Sequence, residues 1–261
     1  MMALAEAEPL ISDLINYRFT EGSLKGQSFG NLLLAAMTGI SPNFETAVQN
    51  MSDVLKVRGR VLPVTVDNVD LEATLTNGKV VRGESKIPLA AKECNCRIKH
   101  TALLPRDVKP LPEAIQAIKE ADLIVLGPGS LYTSIIPNLL VKGIPEAIYN
   151  SKAPTVYVCN IMTQYFETHG HTAYDHYKAI MDHTYKTLVD YCIVNSTKIG
   201  KEKAEKYKSE GSVQVKIDRE KFAETQVQLV EADLINPADE LARHDTDKLA
   251  RLLIDICRKG R

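Results

Sequence analysis

The chain has 261 residues, 44% of them apolar and 25% charged, with a formal net charge of −1. That length suits one large α/β domain or two small ones, and the near-neutral balance excludes a global electrostatic pull toward nucleic acid or an anionic membrane. Any anion-binding site must be built locally. No apolar run approaches the roughly 20 residues that span a bilayer, and the N-terminal MMALAEAEPL carries acids where a signal peptide carries bases. The five cysteines are odd in number and show no framework spacing, as expected of reduced thiols in the cytoplasm.

The first third reads helical. Pro9 suits a first turn, with Leu10, Leu14 and Ile15 on one apolar face. Ser28 is the expected cap of a helix through Asn31, Leu32, Leu33, Leu34 and Met37, closed by Gly39. Ser41-Pro42 reads as N-cap and N1 of a third helix carrying Phe44, Val48, Met51 and Leu55. From Arg60 the pattern changes. RVLPVTV is strand-like, DLEATL and VVRGES flank the hairpin signal Asn77-Gly78, and IKHTALL is a further strand. Cys94 and Cys96 are expected as two strand thiols on one face, since no second pair completes a zinc site.

After Pro110 helices and strands alternate: PLPEAIQAIKEA, DLIVLG, a helix, TVYVCNI, AYDHYKAIMDHTYKTL and YCIVN. VQVKI and QVQLV read as later strands and DTDKLARLLIDICRK as the last helix. The expectation is a doubly wound, mostly parallel α/β sheet with a β-hairpin extension, in a single domain made of a helical lobe (1–58) and a sheet portion (59–261).

Ligands of such sheets bind beyond the carboxyl ends of the strands, and LGPGSLYTS, CNIMTQ and VNSTKIG are the junctions that qualify. In the first, Gly127 and Gly129 allow close backbone approach. The N–H groups of Gly129, Ser130 and Leu131 form a candidate anion cradle, with hydroxyls at Ser130, Tyr132, Thr133 and Ser134. A tight strand-to-helix turn with a serine cap explains the same residues. In the second, Asn160, Thr163 and Gln164 suit directional recognition of a sugar or base, or plain loop capping. FETHGHTAYDHYKAIMDH follows with four histidines, His169, His171, His176 and His183. No H-x-x-x-H occurs, so no metal site is assigned, and these histidines are expected at the surface or at helix ends.

The chain shows no G-x-S-x-G elbow, no cysteine nucleophile with a placed base and no paired carboxylates; a transferase that only positions phosphates needs none of these. Tyr207, among lysines, is either a stacking platform beside a diphosphate or a half-buried helix tyrosine. In RHDTDK, Asp245 is a natural N-cap, Arg243 a candidate phosphate fork and Thr246 an accessible hydroxyl at N1.

Together, ADLIVLGPGSLYTSIIPNLLVKGI, CNIMTQ with its following T-x-G-x-TAYDH and IMDH, GQSFGNLLLAAMT, MSDVLKVRGRVLPVT and LARHDTDKLA resemble the gluconeogenesis-factor (YvcK) family of the CofD-like superfamily, over nearly the whole chain. The superfamily's namesake is a 2-phospho-L-lactate transferase of deazaflavin-cofactor synthesis; the YvcK branch is associated with growth on gluconeogenic carbon sources, cell-shape maintenance and UDP-sugar binding. Family members open with a strand, a G-G-G-T-G loop and a V-x-V-x-D-D-G-G-S-S-G segment. Neither motif is present here, so a fragment or an N-terminally truncated gene model is expected. The resemblance implies a UDP-sugar cleft, for example for UDP-N-acetylglucosamine, lined by Ser28, Gly30, Asn31, Gly127, Gly129, Ser130, Tyr132, Thr133, Asn160, Thr163, Tyr207 and Arg243. It also implies a Ser/Thr kinase site at Thr246 and partners in the cell-wall machinery. The helical lobe is the candidate interface for such partners, and a homo-oligomer is a separate expectation. No cofactor is required on this reading; the rival reading, a CofD-like phosphotransferase with a nucleotide-activated donor, calls for Mg²⁺.

Overall fold

Short aliphatic and β-branched runs set between longer helical patterns form a parallel sheet, because each strand returns to the same edge through a crossover. In the computed structural model of the chain, residues 9–184, 187–236 and 239–259 are described. The chain falls into two compact units. The first runs to Val66 and takes in Leu111–Ala114; the second comprises Asp67–Pro110 and the chain from Ile115 onward.

The first unit holds α1 (Pro9–Asn16), α2 (Phe29–Ile40) and α3 (Phe44–Val54). Ser28 caps α2 as expected, its Oγ accepting the Asn31 N–H at 3.2 Å. The α3 cap is Asn43, not Ser41: its Oδ1 accepts the Thr46 N–H at 2.8 Å, and Asn is as good a cap as Ser. Gly39 does not close α2, which runs one residue further, to Ile40. Ile15, Met51 and Leu55 are buried together, with Phe29, Leu33, Leu34 and Met37 packed on them. Gly30 belongs to this packing, since a Cβ there would lie 2.8 Å from Ile15 Cγ2 and 3.1 Å from the Ile15 carbonyl oxygen. RVLPVTV is not a strand. Pro63 lacks a ladder donor, the segment runs irregularly, and the Val64 carbonyl accepts the Leu111 N–H instead.

The second unit opens with β1 (Asp70–Leu75), β2 (Val80–Arg82), α4 (Lys86–Glu93) and β3 (Ile98–Leu104). These strands form an antiparallel sheet of order β2–β1–β3. The Asn77-Gly78 signal is the hairpin turn, with Thr74 opposite Val80 and Gly78 at φ +85. The helix α4 was not expected from KIPLAAKE, and it moves Cys94 to a helix C-cap. Cys94 and Cys96 are therefore not strand thiols, and Cys96 Sγ donates to the Cys94 carbonyl at 3.2 Å.

Then come α5 (Pro112–Glu120), β4 (Ile124–Leu126), a wide π-type turn (Leu131–Ile135), α6 (Ile136–Leu139), α7 (Ile144–Tyr149), β5 (Thr155–Val158), α8 (Ala173–Thr184), β6 (Tyr191–Asn195), α9 (Lys201–Ser209), α10 (Arg219–Ala223), β7 (Gln228–Ala232) and α11 (Thr246–Lys259). The sheet β4–β5–β6–β7 is parallel throughout. The part of the expected helix beyond Thr184 that covers 185–186 lies outside the described residues. Val156, Val158 and Ile193 bury one face of the sheet against Leu249 and Ile256 of α11. VQVKI adds no strand to the sheet: Gln214 makes a single bridge to Met162, and its neighbours bond the loop after β5, Val215 N–H to Ile161 O at 2.9 Å and Thr163 N–H to Val213 O at 2.8 Å. No helix among the described residues is long and apolar enough to cross a membrane.

Ile193, fully buried on β6, is expected to cost roughly 3 kcal/mol of unfolding free energy as Ile193→Ala. Val125→Ala on β4, where the side chain is 38% exposed, should cost less than about 1 kcal/mol. Urea titration of both variants checks the contrast.

Candidate functional site

The chain leaves β4 through Gly127, at φ +83, where a Cβ would sit 3.0 Å from Ile135 Cδ1 and 3.1 Å from the Val158 carbonyl oxygen. Only glycine fits that backbone and that close approach. Pro128, Gly129 and Ser130 complete the turn, and the Ser130 carbonyl accepts the N–H groups of Ser134 and Ile135 at 2.9 and 3.0 Å.

The loop after β5 ties this turn down with three side chains. The Asn160 amide donates to the Gly129 carbonyl at 2.7 Å, and the Gln164 amide to Ser130 Oγ at 2.9 Å. Glu167, only 6% exposed, accepts the N–H groups of Tyr132 and Thr133 on one oxygen, at 2.8 and 3.0 Å. A carboxylate at a helix start satisfies orphan donors and opposes the helix dipole. Burial pushes the Glu167 carboxyl above its ordinary range, opposed by these N–H bonds.

The expected cradle is thereby narrowed. Leu131 is fully buried, and the next two N–H groups belong to Glu167, so only Gly129 and Ser130 present half-buried backbone whose N–H groups meet no acceptor among the described residues.

These residues line a cavity of about 830 Å³ in the second unit. One wall is Pro128, Gly129 and Ser130; a second is Asn160, Ile161, Met162 and Gln164; a third is Tyr207, Ala242, Arg243, His244, Thr246 and Leu249. Tyr207 is the half-buried helix tyrosine of the two readings, packed near Ile161 and Ala242, and its hydroxyl accepts the Ala242 N–H at 3.1 Å. His244 Nε2–H donates to the Cys159 carbonyl at 3.2 Å. Arg243 is thus held from both sides, itself exposed. Asp245 caps α11 as expected, accepting the Lys248 N–H at 3.1 Å, and this leaves the Thr246 hydroxyl exposed at the first position of the helix.

Other expected residues stand elsewhere. Thr163 is 2% exposed and spends its hydroxyl on the Val213 N–H at 3.0 Å. Tyr132 turns its hydroxyl to His171 Nε2 at 3.2 Å, away from this cavity's lining. Ser28, Gly30 and Asn31 belong to the helical unit described above. Asn195 of the third junction is committed within the fold, with Oδ1 on the Leu234 N–H at 3.1 Å and Nδ2 on the Thr197 carbonyl at 2.7 Å. Glu167 and His244 went unnoticed in the sequence; the available signal for Glu167 was a lone acid beside aromatics and histidines in YFETHGH.

The histidines of α8 are buried rather than superficial. His176 is fully buried and His183 6% exposed. The His183 Nδ1–H donates to the Ala179 carbonyl at 2.6 Å, its Nε2 accepts the Thr101 N–H at 3.0 Å, and its ring stacks on His100 at 4.3 Å. Burial pulls both His176 and His183 down to about 4, so they stay neutral.

Two outcomes follow from these contacts. Glu167→Ala strands two N–H donors and is expected to cost roughly 2–4 kcal/mol, while Glu167→Gln keeps an acceptor and should cost less than half of that; urea titration separates them. The unfolded chain protonates His176 and His183 near 6.5 and the folded chain near 4. Their stabilisation is therefore full above pH 6.5 and lost as pH falls toward 4, on the order of 3 kcal/mol for each. Glu167, with its raised carboxyl, acts in the opposite sense at the acid end of that window. Stability measured at pH 7.0, 5.5 and 4.5 should fall, and His183→Gln should flatten the slope.

Comparison with known proteins places this geometry in a family. The family model described as 2-phospho-L-lactate transferase CofD matches residues 1–235. The gluconeogenesis factor of Bacillus subtilis is 45% identical over 260 residues, covering 99% of this chain and 81% of the relative. A Clostridium acetobutylicum relative is 49% identical over 255 residues, 98% of this chain, which spans 56% of that longer protein. The crystal structure of a UPF0052-family protein from Bacillus halodurans superposes with a TM-score of 0.90 at 43% identity, covering 97% of this chain and 81% of that one. The chain belongs to the CofD family, among the proteins named gluconeogenesis factors.

Proposed function

We propose that this chain is a cytoplasmic regulatory protein that binds a UDP-sugar, such as UDP-N-acetylglucosamine, and serves growth on gluconeogenic carbon sources and maintenance of cell shape. The observation that carries the ligand reading is one cavity lined by both a glycine turn with two uncommitted N–H groups and an exposed arginine clamped on a short loop. Oxygen atoms of a diphosphate match those donors in type and charge. The cavity's volume of about 830 Å³ lies within the range of small-molecule sites, about 300–1,000 Å³. Gln164 and Asn160 supply amides for the sugar or base, although each already holds the turn. Thr246 is the regulatory phosphorylation site on this reading: a phosphate there sits at a helix N-terminus, where the dipole favours it, and at the rim of the Arg243 cavity. The kinase and the cell-wall machinery are the partners this role calls for.

A second reading rests on the family description: a phosphotransferase of the 2-phospho-L-lactate type, with Mg²⁺ and a nucleotide-activated donor in the same cavity. Turnover across a panel of activated donors with Mg²⁺ would favour it over the regulatory reading.

Calorimetry with UDP-N-acetylglucosamine tests the first reading. Saturable binding is expected, weakened roughly tenfold or more by Arg243→Ala. Tyr207→Phe, which removes only the hydroxyl that holds Ala242, should weaken it by a smaller factor. No binding, or binding indifferent to Arg243, overturns the reading.

A further inference from the structure

A second polar cavity, of about 290 Å³, lies in the same unit between the start of β3 and α8. We propose that it is a binding site for a small phosphate-bearing anion, held by Arg97 and Lys99. The site is separate from the Arg243 cavity and stands without the UDP-sugar reading.

Most of the charges around this cavity are already spent. Of the two carboxylates in the lining, Asp182 is paired with Lys178 at 2.7 and 2.9 Å. Asp175 accepts the Thr172 N–H at 2.9 Å and faces Lys221 at 3.9 Å. Lys178 is thereby committed as well. Lys99 has no partner among the described residues, and Arg97 makes one long contact, Nη1 to the His169 carbonyl at 3.4 Å. Two cations therefore remain unspent on one concave wall. Arg97 is not placed there by chance of rotamer alone, because its backbone is fastened in both directions to Thr76: Arg97 N–H to Thr76 Oγ1 at 3.2 Å and Thr76 N–H to the Arg97 carbonyl at 2.9 Å.

The lining also holds a neutral pair, Tyr132 and His171. Burial raises the Tyr132 phenol to about 12 and lowers His171, so the phenol is protonated and the imidazole neutral at pH 7. The Tyr132 hydroxyl and His171 Nε2 are hydrogen-bonded to each other at 3.2 Å. The His171 ring lines the cavity and its Nδ1 is buried, so this pair adds no charge that competes with an anion. A fork-shaped guanidinium and an ammonium beside a cavity at the small end of the ligand-site range suit one phosphate group, free or on a small monoester.

The test titrates inorganic phosphate, and separately glycerol phosphate, into the full chain and its variants by calorimetry. Saturable binding is expected, with Arg97→Ala/Lys99→Ala weakening it by roughly tenfold or more for each lost charge-assisted contact, and Arg243→Ala leaving it within about twofold. Tighter binding of glycerol phosphate identifies a monoester as the occupant; equal or weaker binding identifies free phosphate. Urea titration checks the folding of the double variant, and the single variants Arg97→Gln and Lys99→Gln replace it if it is unfolded. Absence of saturable binding, binding unchanged by the Arg97 and Lys99 substitutions, or binding abolished by Arg243→Ala overturns the proposal.

Discussion

The interaction on which the second unit's cavity depends is the carboxylate of Glu167 buried against the N–H groups of Tyr132 and Thr133. A strand that ends in Gly-Pro-Gly-Ser has no intrinsic reason to hold one shape, since glycine leaves the backbone free. The order comes from the neighbouring loop. Asn160, Gln164 and Glu167 fix three successive stretches of the turn, so the geometry at the end of β4 is imposed by residues following β5. Parallel pairing of the two strands brings those loops to the same edge.

The same logic holds Arg243. Its loop carries no secondary structure of its own, yet Tyr207 takes the N–H on one side and His244 reaches the end of β5 on the other. Tyr207 on this account is a positioning residue, and its ring and hydroxyl are spent largely on packing and on Ala242. The arginine is left extended toward solvent and free of a carboxylate partner among the described residues, which is the state a ligand phosphate requires.

Much of this was legible in the sequence where the cause is local. Asn77-Gly78, the Ser28 and Asp245 caps and the alternation after Pro110 each follow from a few adjacent residues, and each stands where expected. Most of the failures have a physical origin in distant partners. VQVKI has the alternation of a strand, but its bonding partner is the loop after β5 rather than a strand of the sheet. KIPLAAKE is too short to show a helical period. Thr163 looked like a ligand hydroxyl, and it is spent on Val213, 50 residues away. Leu131 was expected in the cradle because its position is right; its burial takes it out. The histidines of α8 were expected at the surface or at helix ends; His183 does stand in the last turn of α8, but it is buried, and Thr101 and Ala179 satisfy it from two elements.

On the proposed reading a nucleotide diphosphate lies between the Gly129-Ser130 turn and Arg243. Amide and guanidinium NMR spectra of the full chain, recorded during titration with UDP-N-acetylglucosamine, test it most directly. The expected result is that the largest shifts fall on the backbone amides of Gly129 and Ser130 and on the Arg243 Nε–H, with smaller changes at Tyr132 and Thr133, whose N–H groups stay on Glu167. Unshifted Gly129, Ser130 and Arg243 signals at saturating ligand would contradict the account.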